Sequence, residues 1–296
     1  MRRILITGGT GQVGTELLRC SWPRDTALIA PTRDELDLRD CDRIEQYITG
    51  GNFQAVVNLG AYTAVDRAER EVLAAWKINA LAPAVMASAT KKCGIPIVHI
   101  STDYVFDGLN DAPYGEDDPV APLGVYGASK EAGEQGVRTG NPRHIILRTA
   151  WVFSTHGTNF VKTMLRLGAE RELVRVVDDQ TGCPTAASDI AFAVATLTNL
   201  LVEHPDAPTG TYCFVNSGET TWYGFAQEIF RQRKDAGFST PSLEPIPTSQ
   251  YPTPARRPAN SRLSTEKLRR DFSLEPRDWV DALRPVIASL SKKECE

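Results

Sequence analysis

The chain is expected to fold as an α/β protein: a doubly wound parallel sheet followed by a smaller C-terminal α/β lobe. Three observations predict this. Short apolar runs alternate with longer helical patterns through the first half, most of those runs are apolar on both faces, and a glycine-rich turn follows the first run at once.

The spacing predicts strands at 3–7 ("RILIT"), 27–32, 54–60, 95–102 and 144–150. The first four are apolar on both sides, as parallel strands covered by helices on both faces require. Helical patterns lie between them. One is 72–94, "VLAAWKINALAPAVMASATKKCG", which stops at Gly94 with Lys91 and Lys92 in its last turn. Beyond residue 150 the alternation loosens. Helices are expected in "NFVKTMLRLGAER" and "SDIAFAVATLTNLL", separated by "LVRVVDDQTGCPT", and a proline-rich segment at 239–258 precedes a charged C-terminal helix pair. Residues 1–150 therefore read as a dinucleotide-binding domain to which later segments return, and 151–296 mainly as a substrate-binding lobe.

Composition narrows the function. A net charge of −4 argues against nucleic acid as the main partner. No apolar run reaches bilayer length, and the apolar run in "MRRILITGGTG" is too short for a secretory signal. The six cysteines, Cys20, Cys41, Cys93, Cys183, Cys213 and Cys295, contain no C-x-x-C pair and read as reduced and structural. The four histidines show no metal-ligand spacing, so no metal site is expected. A cytoplasmic protein is the consistent reading.

"ILITGGTGQVGTELL" places Gly8, Gly11 and Gly14 between the first strand and a helix. One glycine permits the turn, one lets the backbone approach a pyrophosphate, and one allows the helix to pack on the strand. The helix N-terminus then faces the phosphates. This is a dinucleotide site of Rossmann type. At the end of the second strand, "PTRDELDL", Arg33 suits the 2′-phosphate of NADPH, while the acidic residues beside it keep NADH as the alternative. Asp37 and Leu38 are placed to line the adenine pocket.

"YGASK" sets Tyr126 and Lys130 one helical turn apart on one face. A nearby ammonium stabilises a phenolate, so this pair can exchange a proton with a carbonyl or alcohol oxygen while a cofactor moves hydride. A third group must hydrogen-bond the substrate carbonyl. Ser101 and Thr102 both fall at the carboxyl end of the fourth strand, where ligands bind, and spacing does not choose between them.

The fragments "TGGTGQVGTEL", "AYTAVDRAE", "STDYVFDG", "YGASK", "RTAWVF", "NFVKTMLRL", "DDQTGCPT" and "YPTPARRPANSRL" occur in order along nearly the whole chain. Together they resemble the dTDP-4-dehydrorhamnose reductases, a family of extended short-chain dehydrogenase/reductases. The resemblance implies NAD(P)H-dependent reduction of the C4 ketone of dTDP-4-dehydro-L-rhamnose to dTDP-L-rhamnose. It implies a catalytic trio of Thr102, Tyr126 and Lys130, with Ser101 pointing the other way along the strand. Gln12, Val13, Ala61 and Tyr62 would join the cofactor contacts. Thr63, Val65, Asp103, Tyr104, Trp151 and Asn159 would face the substrate, with Lys162 near the nucleotide. One of Arg256 and Arg257 would meet its diphosphate, for which a planar guanidinium is suited. Related 4,6-dehydratases carry a glutamate base after the Thr-Asp pair. Tyr104 stands there instead, which favours reduction over elimination.

Some family members bridge two subunits with Mg²⁺ through glutamates. Glu16 matches the first, but Ser188 followed by Asp189 stands where the second is expected, which argues for a monomer or a homodimer without Mg²⁺. Two alternatives are a non-catalytic regulatory subunit, like the β subunit of methionine adenosyltransferase, and a reductase of another nucleotide 4-keto sugar. The intact trio argues against the first.

Overall fold

The computed structural model describes residues 1–295, with side chains as far as residue 292. Its main sheet contains β1 (Arg2–Thr7), β2 (Thr26–Ile29), β3 (Ala55–Asn58), β4 (Ile97–Thr102), β5 (His144–Thr149) and the strand Gly210–Cys213. From one edge the order runs Gly210–Cys213, β5, β4, β3, β1, β2. All neighbours are parallel. The chain reverses direction across the sheet between β1 and β3, and the carboxyl ends of the strands at that point open a crevice suited to a ligand.

The period-2 alternation of the strands builds two cores. Ile4, Ile6, Val57, Val98 and Leu147 pack on one face with Ile190, Val194 and Leu197 of the helix Ala187–Glu203. Leu5, Val56, Ile97 and Ile146 face the other side, against Ile44, Ile48, Met86 and Val137. The strand at 27–32 departs from expectation. β2 ends at Ile29 and is only half-buried, because it is an edge strand with a single neighbour, β1.

The helix expected at 72–94 is broken by a π-turn. Val72–Trp76 is α-helical, Lys77–Leu81 is π-helical, and Ala82–Lys92 is α-helical again. Pro83 is the physical cause: it has no N–H for the Asn79 carbonyl four residues earlier. By length and composition residues 72–92 are apolar enough to cross a membrane, contrary to the reading that no run is. In the structure Met86 and Ala87 of this segment are buried against the sheet.

Residues after 150 divide between two layers. The helix Ala187–Glu203 and the strand Gly210–Cys213 return to the main sheet, crossing the boundary drawn at residue 150. The remainder forms a lobe around Phe153, Phe225, Ile229, Trp279 and Leu283, beside a parallel pair of strands, Leu173–Val177 and Ser242–Ile246. Cys20, Cys41, Cys93, Cys183 and Cys213 are free thiols, and Cys295 lies outside the residues whose side chains are described.

Candidate active site

A cleft of about 680 Å³ opens at the carboxyl ends of β1, β3 and β4. It gathers Gly8, Gly11, Gln12, Val13 and Gly14 from the glycine turn, and Ala61, Thr63 and Val65 after β3. Thr102, Asp103 and Tyr104 after β4, Tyr126 and Lys130, and Trp151 after β5 complete it.

The glycines have separate tasks. Gly8 holds φ at +72°, a left-handed conformation, and its Cβ would lie 2.7 Å from the Gly60 nitrogen. A Cβ on Gly14 would lie 2.2 Å from the Gly8 carbonyl oxygen. The helix Gln12–Leu17 therefore starts against the turn, with no side chain capping its first N–H groups. A cradle that any side chain would fill, backed by free N–H groups, fits a dinucleotide pyrophosphate. Gly14→Ala should force this turn open at a cost of about 1–3 kcal/mol, read as a roughly tenfold or greater loss of NADPH affinity by fluorescence titration.

Tyr126 and Lys130 lie in the helix Val125–Gly140. Gly124 offers no side-chain cap at its start, and Glu69 Oε1 supplies one by accepting from the Val125 N–H at 2.8 Å. Gly127 lets the helix pass the Tyr104 carbonyl, which a Cβ there would meet at 2.1 Å. Asn79, in the π-turn, donates to Ser129 Oγ at 3.0 Å and accepts from the Tyr62 N–H at 2.8 Å. Beneath the helix, Glu134 accepts from Arg148 on β5 at 2.7 and 3.0 Å. Arg148 and Glu134 are 2% and 0% exposed, so this is an ion pair removed from water.

Burial governs the electrostatics. It pushes the Tyr126 phenol up to about 12, opposed by the Thr102 hydroxyl. It pulls Lys130 down to about 8, opposed by Glu134. Lys130 Nζ donates to the Ile100 carbonyl at 2.6 Å. The phenol stays protonated, which is the form needed to deliver a proton. Tyr104 packs edge-on to Tyr126 at 5.4 Å, and burial raises its phenol as well. Ser101 is buried on the opposite face of β4 from Thr102, beside Glu134.

Trp151 has φ +48°, a strained conformation for a tryptophan. Packing holds it there: its ring stacks on Trp222 at 3.5 Å and lies over Gly182.

Other predicted residues stand elsewhere. Arg33 is exposed at the end of β2, 3.9 Å from Asp37. Asp37 is held down to about 2 by Arg39, which bonds it through backbone and guanidinium, instead of facing the cleft. Leu38 packs on Gly60. The Tyr62 hydroxyl donates to Glu71 at 2.6 Å and does not line the cleft. Asn159 caps the helix Phe160–Glu170 and donates to Gln12 Oε1 at 2.9 Å, so it reaches the glycine turn through another side chain. Lys162 Nζ donates to the Gly157 carbonyl. Arg256 is exposed, while Arg257 pairs with Asp66 at 3.0 Å beside Tyr104. Glu16 is engaged by His156 at 2.8 Å, and Asp189 by Arg277 and Asn216.

Sequence reasoning missed Glu69, Asn79, the Glu134–Arg148 pair and Trp222. Each acts across a long sequence separation, and no local pattern marks it. Only Glu134 carried a signal, standing four residues after Lys130.

A glycine-cradled crevice at the switch point of a parallel sheet, with a tyrosine–lysine helix beside it, defines a dinucleotide-dependent oxidoreductase of the short-chain type. The chain belongs to the family described as the RmlD substrate binding domain, whose model matches residues 1–292. It is 43% identical to the dTDP-4-dehydrorhamnose reductase of Burkholderia thailandensis, covering 97% of this chain and 99% of that one. It is 40% identical to the Escherichia coli reductase of the same name, over 97% of each. The solved dTDP-4-dehydrorhamnose reductase of Bacillus anthracis, in complex with NADP, superposes with a TM-score of 0.90 at 34% identity, covering 98% of this chain and 100% of that one. That of Clostridium acetobutylicum gives 0.89 at 36%, covering 98% and 99%.

Proposed function

We propose that the chain reduces the C4 ketone of dTDP-4-dehydro-L-rhamnose to dTDP-L-rhamnose with NADPH. The observation that carries this reading is the placement of Thr102, Tyr126 and Lys130 in the cleft floored by the glycine turn. NADPH, when bound, supplies the hydride. Tyr126, protonated across the neutral range, delivers the proton to the C4 oxygen. Thr102 hydrogen-bonds that oxygen, and Lys130 holds the nicotinamide ribose and the charge on Tyr126 as it gives up its proton. With tyrosine at 104, no carboxylate base follows the Thr-Asp pair, in keeping with reduction and not elimination.

Trp151, fixed by Trp222, offers its ring to the sugar, and Thr63 and Val65 flank it. Arg257 is the better diphosphate ligand than Arg256: it is half-buried at Tyr104, and its Nη1 has no partner. The residues through 150, with the returning helix and strand, form the cofactor domain, and the rest forms the substrate lobe. We place the enzyme in the cytoplasm as a monomer or a homodimer without Mg²⁺, since Glu16 is hydrogen-bonded to His156 and Asp189 is paired with Arg277 in their own chain.

NADPH oxidation that depends on dTDP-4-dehydro-L-rhamnose, with dTDP-L-rhamnose as product, tests the assignment. Arg33→Ala should raise the KM for NADPH about tenfold and leave that for NADH unchanged, because only the former carries a 2′-phosphate. Equal effects on both cofactors would remove Arg33 from phosphate recognition.

A further inference from the structure

The stretch 178–185, "DDQTGCPT", is built around the stack of Trp151 on Trp222. The Thr185 N–H donates to the Trp151 carbonyl at 3.1 Å. Gly182 lies so close to the Trp151 ring that a Cβ there would come within 2.4 Å of it. Asp178 accepts at 2.5 Å from the hydroxyl of Thr221, which caps the helix Trp222–Asp235. Gln180 reaches the stack itself: its Oε1 accepts from Trp222 Nε1 at 3.2 Å. Gln180 is 6% exposed and does not line the cleft.

The direction of that hydrogen bond is set at its far end. Thr248 gives its hydroxyl proton to Asp179 Oδ1 at 2.5 Å, so its Oγ1 is left to accept. Gln180 Nε2 donates to it at 2.9 Å, which turns the amide so that Oε1 points at Trp222. An indole N–H can only donate, so this orientation satisfies all three groups. The φ of +48° at Trp151 is a conformation that tryptophan does not keep unaided, and the stack on Trp222 holds it there. We propose that Gln180 is a positioning residue for the sugar: by orienting Trp222 it keeps the Trp151 ring where the substrate meets it. This rests on the reductase reading above, in which Trp151 faces the sugar.

The test uses the full chain with its five tryptophans replaced by fluorotryptophan. Trp151→Phe and Trp222→Phe assign two of the fluorine resonances. Gln180→Leu keeps both rings and removes the acceptor, so the Trp151 resonance should shift or broaden. In NADPH oxidation with the dTDP-4-keto sugar, this variant should raise the KM for the sugar about three- to tenfold, the effect of losing one buried hydrogen bond. Its kcat should stay within about twofold of wild type, with NADPH affinity unchanged. Trp222→Phe keeps a ring but has no N–H, so adding Gln180→Leu to it should cost less than about twofold more. An unmoved Trp151 resonance in Gln180→Leu overturns the proposal. So does a fall in kcat at unchanged KM, and so do losses that multiply in the double variant. Gln180→Met is read in the same way if the leucine variant does not fold. A wild type that fails to oxidise NADPH with this sugar would instead remove the reductase reading. The Trp151 resonance needs no substrate and would still decide whether Gln180 holds the ring.

Discussion

Replacing Tyr126 with Phe should lower turnover by about 10²–10⁴-fold, the usual contribution of a positioned general acid, with little change in NADPH affinity. The ring is buried and touches Tyr104, and phenylalanine keeps that packing while removing the only hydroxyl offered to the C4 oxygen by this helix. The wild-type pH dependence sharpens the test. In the mechanism proposed above, reduction uses a protonated Tyr126 and a charged Lys130. The phenol, at about 12, stays protonated throughout the working range. Lys130, held down to about 8 by burial, is charged below that value and neutral above it. The rate should therefore fall as pH rises through about 8. Stopped-flow NADPH oxidation measures both effects. Near-wild-type turnover in Tyr126→Phe would remove the tyrosine from the chemistry.

Glu134→Gln should destabilise the protein by about 3–5 kcal/mol, because it leaves Arg148 charged, buried and without its carboxylate. Burial pushes the Glu134 carboxyl up, but the hydrogen bonds and charge of Arg148, with Arg138, outweigh it and hold the group below the usual carboxylate range. The sign follows. A depressed folded pKa gives stability that is present above the unfolded value and is lost as pH falls through the folded one. The variant should lose the acid-side dependence contributed by Glu134 as well as stability at neutral pH. Urea unfolding at several pH values measures both. An unchanged midpoint would mean that the pair does not fasten this helix to β5. Glu134 also sits one turn from Lys130 and raises its pKa against burial, so the alkaline fall in activity should move to lower pH in the variant.

By itself the sequence determined five of the six strands of the main sheet, the glycine turn and the tyrosine–lysine pair, because each is written within about ten residues, whereas the edge strand Gly210–Cys213 was not read from it. Period-2 apolarity specifies a strand. Glycines mark a turn that admits no Cβ, and a four-residue interval puts Tyr126 and Lys130 on one helix face. The ordered fragments added which family the chain resembles. The tertiary structure decided what depends on distant partners. It made β2 an edge strand, placed Asn79 through the π-turn that Pro83 forces, and joined Glu134 to Arg148 across the core. It also separated Arg257 from Arg256, took the Tyr62 hydroxyl away to Glu71, and buried the Tyr126 phenol so that its pKa is raised. In "STDYVFDG" the sequence offered four oxygen-bearing side chains in a row, Ser101 to Tyr104. The fold gave them their differences, because alternation along β4 turned Thr102 to the cleft and Ser101 away, and burial left Asp103 with an oxygen that nothing satisfies. Local pattern fixes conformation, whereas desolvation and charge pairing depend on every element that closes over a group.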